Sequence, residues 1–203
     1  MKKRTIALLL LTALLGILLT SCGEDERNHY SPGYWRDNVF YDAFVDLRFT
    51  LPDGWEATSQ EDLDAMSAEA DKMLDTQRGG TGEDPASVYH YELSAKDPST
   101  GNGILILVQS YSGNANDYID GLEAGAELEG ATYSVGTTVT VQLPGHAYLM
   151  VPLTMEGQDT PYQRQYLRKQ GDYLINIMLF SSQEGEDAFS ALVAQLSELE
   201  NPS

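Results

Sequence analysis

The stretch Ile104-Leu105-Ile106-Leu107-Val108 decides the fold class of this 203-residue chain. A run that is short and apolar on both sides predicts a central strand whose sheet is covered on both faces. Residues 88–95 predict a second strand, and the turn-forming segment 97–103 joins the two as a hairpin. The middle of the chain therefore predicts an antiparallel sheet with a covered central strand.

Three segments with apolar residues at helical spacing surround this hairpin in the sequence. They are residues 60–77, 116–128 and 184–199, and each predicts an amphipathic helix. Alternating apolar and polar residues predict a strand at 45–51, and three or four more strands are expected between residues 133 and 180. We therefore predict the α+β class, with a largely antiparallel central sheet flanked by helices on both faces, an α/β/α sandwich.

The N-terminal residues have the pattern of a secretory signal. Lys2, Lys3 and Arg4 precede an apolar run over residues 6–19. This run is shorter than the roughly 20 residues that a membrane-spanning helix needs. We expect residues 1–21 to be a signal peptide.

The apolar run ends at Leu19-Thr20-Ser21-Cys22, which resembles the lipobox of bacterial lipoproteins. The resemblance implies a diacylglyceryl group on Cys22 and cleavage between Ser21 and Cys22. The alternative is an ordinary signal peptide that is cut nearby. Because Cys22 is the only cysteine, no internal disulfide is possible. The lipobox predicts a protein anchored to the cell membrane on its extracytoplasmic face, or to the outer membrane where the organism has one.

The rest of the chain divides into two parts by composition. Residues 22–37 hold the lipidated cysteine and an acidic tether, and residues 38–203 have the length of a single domain. Tyr34 and Trp35 lie within the tether, so we expect this segment to fold back on the domain. The alternative is an aromatic anchor at the membrane interface.

The charge of the mature chain limits its partners. After loss of the signal peptide, nine cationic and 31 acidic side chains remain, a net charge of −22 with histidine neutral. Phosphate recognition begins with clustered Lys and Arg. We therefore exclude nucleic acid as a partner, and we expect repulsion from anionic lipid headgroups.

Three short motifs and a closing helix follow one another in a recognisable order. The motifs are Leu51-Pro52-Asp53-Gly54-Trp55, Gly145-His146-Ala147-Tyr148, and the apolar strand from Gly171 to Ile177. With the elements between them, they resemble the Mog1/PsbP-like family over residues 38–200. The resemblance implies the sandwich fold and a non-catalytic scaffold used for protein contacts. It implies no active site.

No catalytic or metal-binding constellation is visible in the sequence. The three histidines, His29, His90 and His146, have neither the spacing of a zinc site nor a nucleophile beside them. The acidic loop 97–103 lacks the alternating carboxylates of a calcium loop. We expect no enzyme activity, no cofactor and no metal.

One cluster of charge differs from the acidic composition. Arg164, Arg168 and Lys169 fall within six residues. If this segment is a strand, Tyr162, Arg164, Tyr166 and Arg168 share a face, and Arg and Tyr are enriched in binding hot spots. These four residues form a candidate interaction face. The alternative is that the face lies under a helix or against acidic neighbours.

Three functional hypotheses follow from these features. The leading one is a non-catalytic protein-interaction module of the cell envelope, anchored by lipid and bound to a protein partner. The second is a binder of small ligands or cations, because twelve tyrosines could line an aromatic pocket. The third is a carboxylate-dependent hydrolase, since 31 acids offer many pairs.

Overall fold

A computed structural model describes residues 29–77, 88–128 and 130–199 of the chain. The predictions for residues 1–21 and for Cys22 lie outside these residues. The chain divides into two units, Met1–Tyr30 and Ser31–Ser203, and all described residues except His29 and Tyr30 belong to the second.

The described residues form three helices and twelve strands. The helices are α1 (Gln60–Gln77), α2 (Ala115–Ala126) and α3 (Glu186–Val193). The strands are β1 (Tyr34–Arg36), β2 (Val39–Asp42), β3 (Leu47–Thr50), β4 (Glu56–Ala57), β5 (Tyr89–Lys96), β6 (Gly103–Ser110), β7 (Tyr133–Val135), β8 (Val139–Leu143), β9 (His146–Met155), β10 (Tyr162–Gln170), β11 (Tyr173–Ser181) and β12 (Leu196–Ser197).

The strands form a large sheet and a small sheet. The large sheet has the order β4-β5-β6-β11-β10-β9-β7, with β8 also paired to β9, and the small sheet has the order β1-β2-β3-β12. Every described pairing is antiparallel. The α+β class with largely antiparallel sheets is therefore confirmed.

The predicted central strand is β6, which lies between β5 and β11. Ile104, Ile106, Leu107 and Val108 are buried, and Leu105 is half-buried. Burial on both faces removes most of this apolar surface from water, and this explains why the segment has no alternation of polar residues.

One face of the large sheet packs against helix α2. Ile119 of the helix joins a buried apolar cluster with Val151, Leu153, Leu167 and Leu174, which come from β9, β10 and β11. Tyr133 adds a polar contact, since its hydroxyl donates a hydrogen bond of 3.0 Å to the Leu122 carbonyl of α2.

The opposite face of the large sheet contacts the small sheet and helix α3. An Arg168 guanidinium nitrogen donates to the Val45 carbonyl at 2.7 Å, and the Phe44 and Tyr173 rings meet edge to face. We predict helices as the cover of both faces, whereas here a four-stranded sheet supplies much of the cover. Strands of two or three residues such as β12 and β1 are too short to show a period in the sequence.

Helix α1 follows the edge of β5 that carries no neighbouring strand over most of its length. β4 pairs with β5 only at Ala95 and Lys96. Before them, the Asp71 carboxylate accepts from the Val88 and Tyr89 amides at 3.0 Å, and the Ser67 hydroxyl accepts from the Tyr91 amide at 3.0 Å. The helix thus satisfies backbone donors that an edge strand would otherwise expose.

Two boundaries differ from the prediction. The last helix ends at Val193, and Leu196–Ser197 form strand β12, where Leu196 pairs with Phe49 of β3. The prediction of a helix to residue 199 is wrong because Leu192, Leu196 and Leu199 keep helical spacing after the backbone has left the helix. At the other end, β1 lies within residues 22–37, so the small sheet begins before residue 38.

Candidate functional site

The four residues of the predicted interaction face share one side of strand β10. Tyr162, Arg164, Tyr166 and Arg168 alternate along the strand, as the pairing register with β11 requires. This side is the one turned toward α3 and the small sheet. Tyr166 is only 3% exposed, so these residues do not form an open contact surface.

Arg164 lies beneath helix α3 and against an acidic neighbour. Its two terminal nitrogens donate to the Glu186 carboxylate at 2.9 and 2.6 Å, and its guanidinium carbon is 4.3 Å from the Phe189 ring centroid. The hydrogen bonds from Arg164 hold the pKa of Glu186 below its usual value. Through these contacts, Arg164 connects α3 to the large sheet.

Arg168 has the same kind of role at the small sheet. Besides the Val45 carbonyl, it donates to the Gln170 side chain at 2.7 Å, and it lies 5.4 Å from the Tyr148 ring centroid. The alternative for this face is a position under a helix or against acidic neighbours, and Arg164 has both, whereas Arg168 bonds to a backbone carbonyl and an amide side chain.

Asp42 forms the centre of a buried charged cluster with Glu92 and Arg168. Asp42 is 0% exposed, and its carboxylate accepts from the Val45 amide at 2.8 Å. Burial raises the pKa of Asp42 to about 7; the Val45 amide opposes this rise, the nearby Glu92 carboxylate adds to it, and Arg168 opposes it. Glu92 in turn accepts from the Gly33 amide at 2.9 Å. The two carboxylates of this cluster are buried and Arg168 is half-buried, and the cluster lies between the small sheet and the large sheet.

His146, His90 and Asp97 lie in structural surroundings. His146 pairs with Asp46 at 3.0 Å, and burial lowers the pKa of His90. The Asp97 carboxylate accepts from Ser99 and Thr100 within its own loop, which lowers its pKa. These contacts connect turns to strands or close a turn.

The described residues contain neither a metal-binding cluster nor a helix suited to a membrane. No group of three or more His, Cys, Asp and Glu side chains is arranged to hold a metal ion in the described part of the chain. Within those same residues, no helix combines the length and the apolar character that crossing a bilayer requires.

A different set of Tyr and Arg side chains is open to solvent, on the outer face of the small sheet. We call it the aromatic–basic surface, and its members are Tyr34, Arg36, Tyr41 and Arg48. Tyr34 is 54% exposed and Arg36 is exposed, while Tyr41 and Arg48 are half-buried. Phe40, Phe49 and other alternate residues of the same strands point inward and are buried.

The pairing register places these four side chains together. Tyr34 is opposite Tyr41, and Tyr41 is opposite Arg48, so the three form a row across β1, β2 and β3. The Tyr34 and Tyr41 rings stack with centroids 5.6 Å apart and planes at 18°. Arg36 lies 5.9 Å from the Tyr41 ring centroid, and the Arg48 Nε donates to the Ser197 hydroxyl at 3.2 Å. The surface is thus held by contacts from all four strands of the small sheet.

Local backbone features fix the hairpin that carries this surface. The two-residue turn between β1 and β2 holds Asp37 in the left-handed region, at a φ of 54°. Gly33 precedes β1, and a Cβ atom there would lie 2.2 Å from the Phe40 ring. A glycine is therefore required where the chain passes over this buried ring.

The sequence carried only a weak signal for this surface. Residues 34–36 and 39–41 each place a buried or half-buried aromatic between two outward side chains, but three residues are too few for a reliable period. The surrounding Gly, Pro, Asp and Asn residues resemble a tether. The surface forms only when β1, β2 and β3 pair and place their outward side chains next to one another.

A second polar arrangement lies between α2 and the large sheet, and we call it the amide–tyrosine group: Tyr118, Gln165 and Asn176. The Asn176 amide donates to Gln165 at 2.9 Å, while its Oδ1 is buried with no hydrogen-bond partner among the described residues. Burial raises the pKa of Tyr118, and the Asn176 side chain lowers it. An unpaired buried carbonyl is costly, so a hydrogen-bond donor placed beside this oxygen would be favourable.

Together, the fold and the aromatic–basic surface describe a class of protein: an α+β domain of two packed antiparallel sheets that presents Tyr and Arg on the smaller one. No protein-family model and no curated protein sequence matches the chain.

Among solved structures, the chain is similar to cyanobacterial PsbP (CyanoP) from Synechocystis sp. PCC 6803. The two share 12% identical residues, the similarity covers 89% of this chain and 99% of that chain, and the TM-score is 0.46. Similarity at this level assigns neither a family nor a function to the chain, and membership of the Mog1/PsbP-like family stays a prediction.

Proposed function

We propose that this protein is a lipid-anchored, extracytoplasmic lipoprotein of the Mog1/PsbP-like type that acts as a non-catalytic protein-interaction module. The observation that carries the proposal is the aromatic–basic surface. Tyr and Arg are the residue types that dominate binding hot spots, because both combine a flat apolar area with hydrogen-bonding groups. Here Tyr34 and Arg36 are exposed, and Tyr41 and Arg48 are half-buried beside them on the same sheet.

The distance from the proposed anchor agrees with this role. Eleven residues separate Cys22 from Tyr34, so a fully extended chain of this length spans about 40 Å. A lipid on Cys22 would keep the small sheet within that distance of the bilayer. The partner is therefore expected among proteins that lie in or on the same membrane.

The finer description of the fold belongs to the same proposal. We infer a three-layer arrangement with helical cover on both faces of the large sheet. Ile119 of α2 on one face and Phe189 of α3 near the other support it. In this arrangement, the small sheet and α3 lie side by side in the layer that covers the second face of the large sheet.

In-cell photo-crosslinking tests the interaction module. A photoreactive residue is placed in the full-length lipoprotein at Tyr34, Met73 or Leu128, one position at a time. These side chains are 54%, 58% and 69% exposed, so the three positions are matched in accessibility. Adducts are identified by mass spectrometry of the membrane fraction.

We expect one specific protein adduct from position 34 and only background from the other two positions. A protein adduct from Met73 or Leu128 alone would keep the module but move its contact surface to the helices. Background at all three positions, in a folded and lipidated protein, would overturn the proposed function.

Binding of a small ligand is a second candidate function, which the unpaired Asn176 oxygen favours. A neutral ligand with a hydroxyl or amide donor would satisfy this acceptor and contact the Tyr118 ring. Thermal shift measurements with sugars and peptides test it, with Asn176→Asp as the matched variant. A ligand that raises the melting temperature of both proteins equally would bind elsewhere, and a flat profile would remove the candidate.

A further inference from the structure

Strand β8 has an outer edge that no described strand covers. It pairs with β9 on one side only, and Val139, Thr140 and Gln142 are exposed. The opposite edge of the large sheet is protected, because α1 supplies hydrogen-bond acceptors along β5. Among the described residues, this sheet therefore has one edge that is closed to a further strand and one that is open.

The two-residue turn between β8 and β9 decides which backbone groups face outward. Leu143 and His146 flank this turn and lie opposite each other, so they exchange hydrogen bonds. The backbone groups of Val141 point to β9 in the same way, since they are two residues away. Thr140 and Gln142 therefore direct their N–H and C=O groups away from β9, toward the open edge.

This edge is also the neutral part of an acidic chain. Residues 131–155 contain no Asp, Glu, Lys or Arg, although 21% of the chain is charged and its net charge is −19. Asp46 and Glu198 lie beside the turn, at His146 and Gly145, beyond the end of β8. Two copies of so acidic a chain repel each other, and the repulsion is weakest where uncharged segments meet. A charged partner, by contrast, meets no opposite charge on β8.

We propose that two copies of the chain pair through β8, antiparallel about a twofold axis at Val141, and so join their large sheets into one. Around this axis, Thr140 of each copy lies opposite Gln142 of the other, and both pairs are of the hydrogen-bonded kind. The inference goes beyond the proposed function, since β8 belongs to the large sheet and the aromatic–basic surface to the small one.

The side chains of β8 suit this pairing on both faces. Val139, Val141 and Leu143 share one face, so the two strands form an apolar row with the two Val141 side chains at its centre. On the other face, Thr140 and Gln142 lie opposite each other, where their polar groups are within reach of a cross-strand hydrogen bond.

Two features limit the pairing to the five residues of β8. At one end, Pro144 lacks a backbone donor. At the other, residues 136–138 lie opposite only Val151 and Pro152 of β9, and such a bulge bends the edge. Because α1 protects the other edge of the sheet, the assembly closes at two copies.

Oxidative crosslinking of the full-length lipoprotein in membranes, with copper phenanthroline as the oxidant, tests the pairing. Val141→Cys, Thr140→Cys and Met73→Cys are made one at a time, and the unaltered chain, whose only cysteine is Cys22, gives the background. At the axis, the Cα atoms of the two copies are about 4.5 Å apart, within reach of a disulfide. At position 140 they are about 7–8 Å apart, at or beyond the limit for one.

We expect Val141→Cys to give a covalent dimer in at least about tenfold higher yield than the other two variants. Met73 is 58% exposed on α1, so Met73→Cys measures chance collisions in the membrane. Equal dimer yields from positions 141, 140 and 73, at background or above it, would overturn pairing through β8.

A charge on the edge gives a second readout. In the Val141→Cys chain, Val139→Lys and Met73→Lys each add one positive charge at an exposed apolar position. We expect Val139→Lys to lower the dimer yield at least about fivefold, because it places a charge against Leu143 of the second copy, and Met73→Lys to leave it within about twofold. General repulsion predicts the opposite for Val139→Lys, since a lysine reduces the net charge of an acidic chain.

Mass spectrometry of the adducts identifies the occupant of the edge. A Val141→Cys adduct with a different protein would show that another strand lies there and would overturn the pairing between copies. Circular dichroism of each purified variant establishes that a lost dimer reflects a lost contact and not misfolding. None of these outcomes depends on crosslinking from position 34, so the proposed function is tested separately.

Discussion

At the scale of single residues, Asp42 couples the stability of the domain to pH. Its carboxyl group has a pKa of about 7 in the folded chain and 3.8 as its ordinary value, because burial disfavours the charged form. The folded state therefore binds a proton more tightly than the unfolded state. The resulting stabilisation is complete below about pH 4 and is lost as the pH rises to 7.

Asp42→Asn should remove this pH dependence. The amide imitates the protonated acid and keeps an oxygen for the Val45 amide. Between pH 5 and pH 8, the wild-type chain should lose about 2–3 kcal/mol of unfolding free energy relative to the variant. Urea denaturation at the two pH values measures the difference. Parallel pH profiles for the two proteins would show that Asp42 is already ionised at pH 5.

Substitutions at Arg164 and Glu186 test which contact holds α3 against the buried side of β10. Arg164→Ala removes the contact with the Phe189 ring and the stem that covers the sheet, so we expect a loss of about 1–2 kcal/mol of unfolding free energy. Glu186→Gln should have a clearly smaller effect, since the Glu186 side chain is 79% exposed. Equal losses in chemical denaturation would mean that the ion pair, and not the ring contact, holds α3.

At the scale of elements, helix α2 contains two glycines in different surroundings. A Cβ atom at Gly121 meets nothing within 4 Å, whereas one at Gly125 would lie 2.3 Å from the Tyr133 hydroxyl. Gly121→Ala should therefore stabilise the chain by about 0.5–1 kcal/mol through helix propensity. Gly125→Ala should destabilise it by about 1–3 kcal/mol, because the Tyr133 contact with α2 is displaced.

Thermal unfolding of the two variants checks these opposite signs. A stabilising Gly125→Ala would mean that Tyr133 can move away without loss. A destabilising Gly121→Ala would point to a neighbour that the packing does not reveal. Each variant is a control for the other, since the same substitution is made at two positions of one helix that are one turn apart.

The elements that the sequence predicted well are those with enough residues to show a period. Residues 60–77 are predicted as a helix, and α1 spans Gln60–Gln77, with the Ser59 hydroxyl accepting from the Asp62 amide at its start. The hairpin of β5 and β6 is likewise found around the loop at 97–103. Local periodicity and turn chemistry are sufficient for such segments.

The small sheet and its surface could not be predicted in the same way. Strand β12 pairs with β3, and Leu196 meets a residue almost 150 positions earlier in the chain, Phe49. Tertiary pairing decides this strand, because its local spacing equally suits a helix. The predicted face on β10 had the right register, but its burial depended on α3 and the small sheet, whose positions the sequence does not show.

At the scale of the whole molecule, the strong negative charge should make stability depend on salt. The full chain has a net charge of −19, and loss of the predicted signal peptide would make it −22; like charges in such excess repel one another in the compact state. Raising NaCl from 10 to 200 mM shortens the screening length from about 30 to about 7 Å. We expect the unfolding free energy to rise by about 1 kcal/mol or more, measured by urea denaturation at both salt concentrations. A fall with salt would show that attractive ion pairs outweigh the repulsion.

The proposed anchor is a property of the whole molecule as well. Cys22→Ser should abolish incorporation of labelled fatty acid and move the protein from the membrane fraction to the soluble fraction, because the substitution removes the only thiol in the chain. Fractionation and labelling of cells that produce each form measure this. A variant that stays fully in the membrane fraction would show that the lipid is not the main attachment.

The position of α1 along β5 also affects how copies of the protein behave when they meet at high concentration. With Ser67 and Asp71 occupying the backbone donors of residues 88, 89 and 91, that strand cannot add a strand from another molecule. Loss of α1 by proteolysis or local unfolding would turn the same strand into a template for polymerisation. The helix is therefore expected to prevent folded copies of the protein from joining their sheets along this edge.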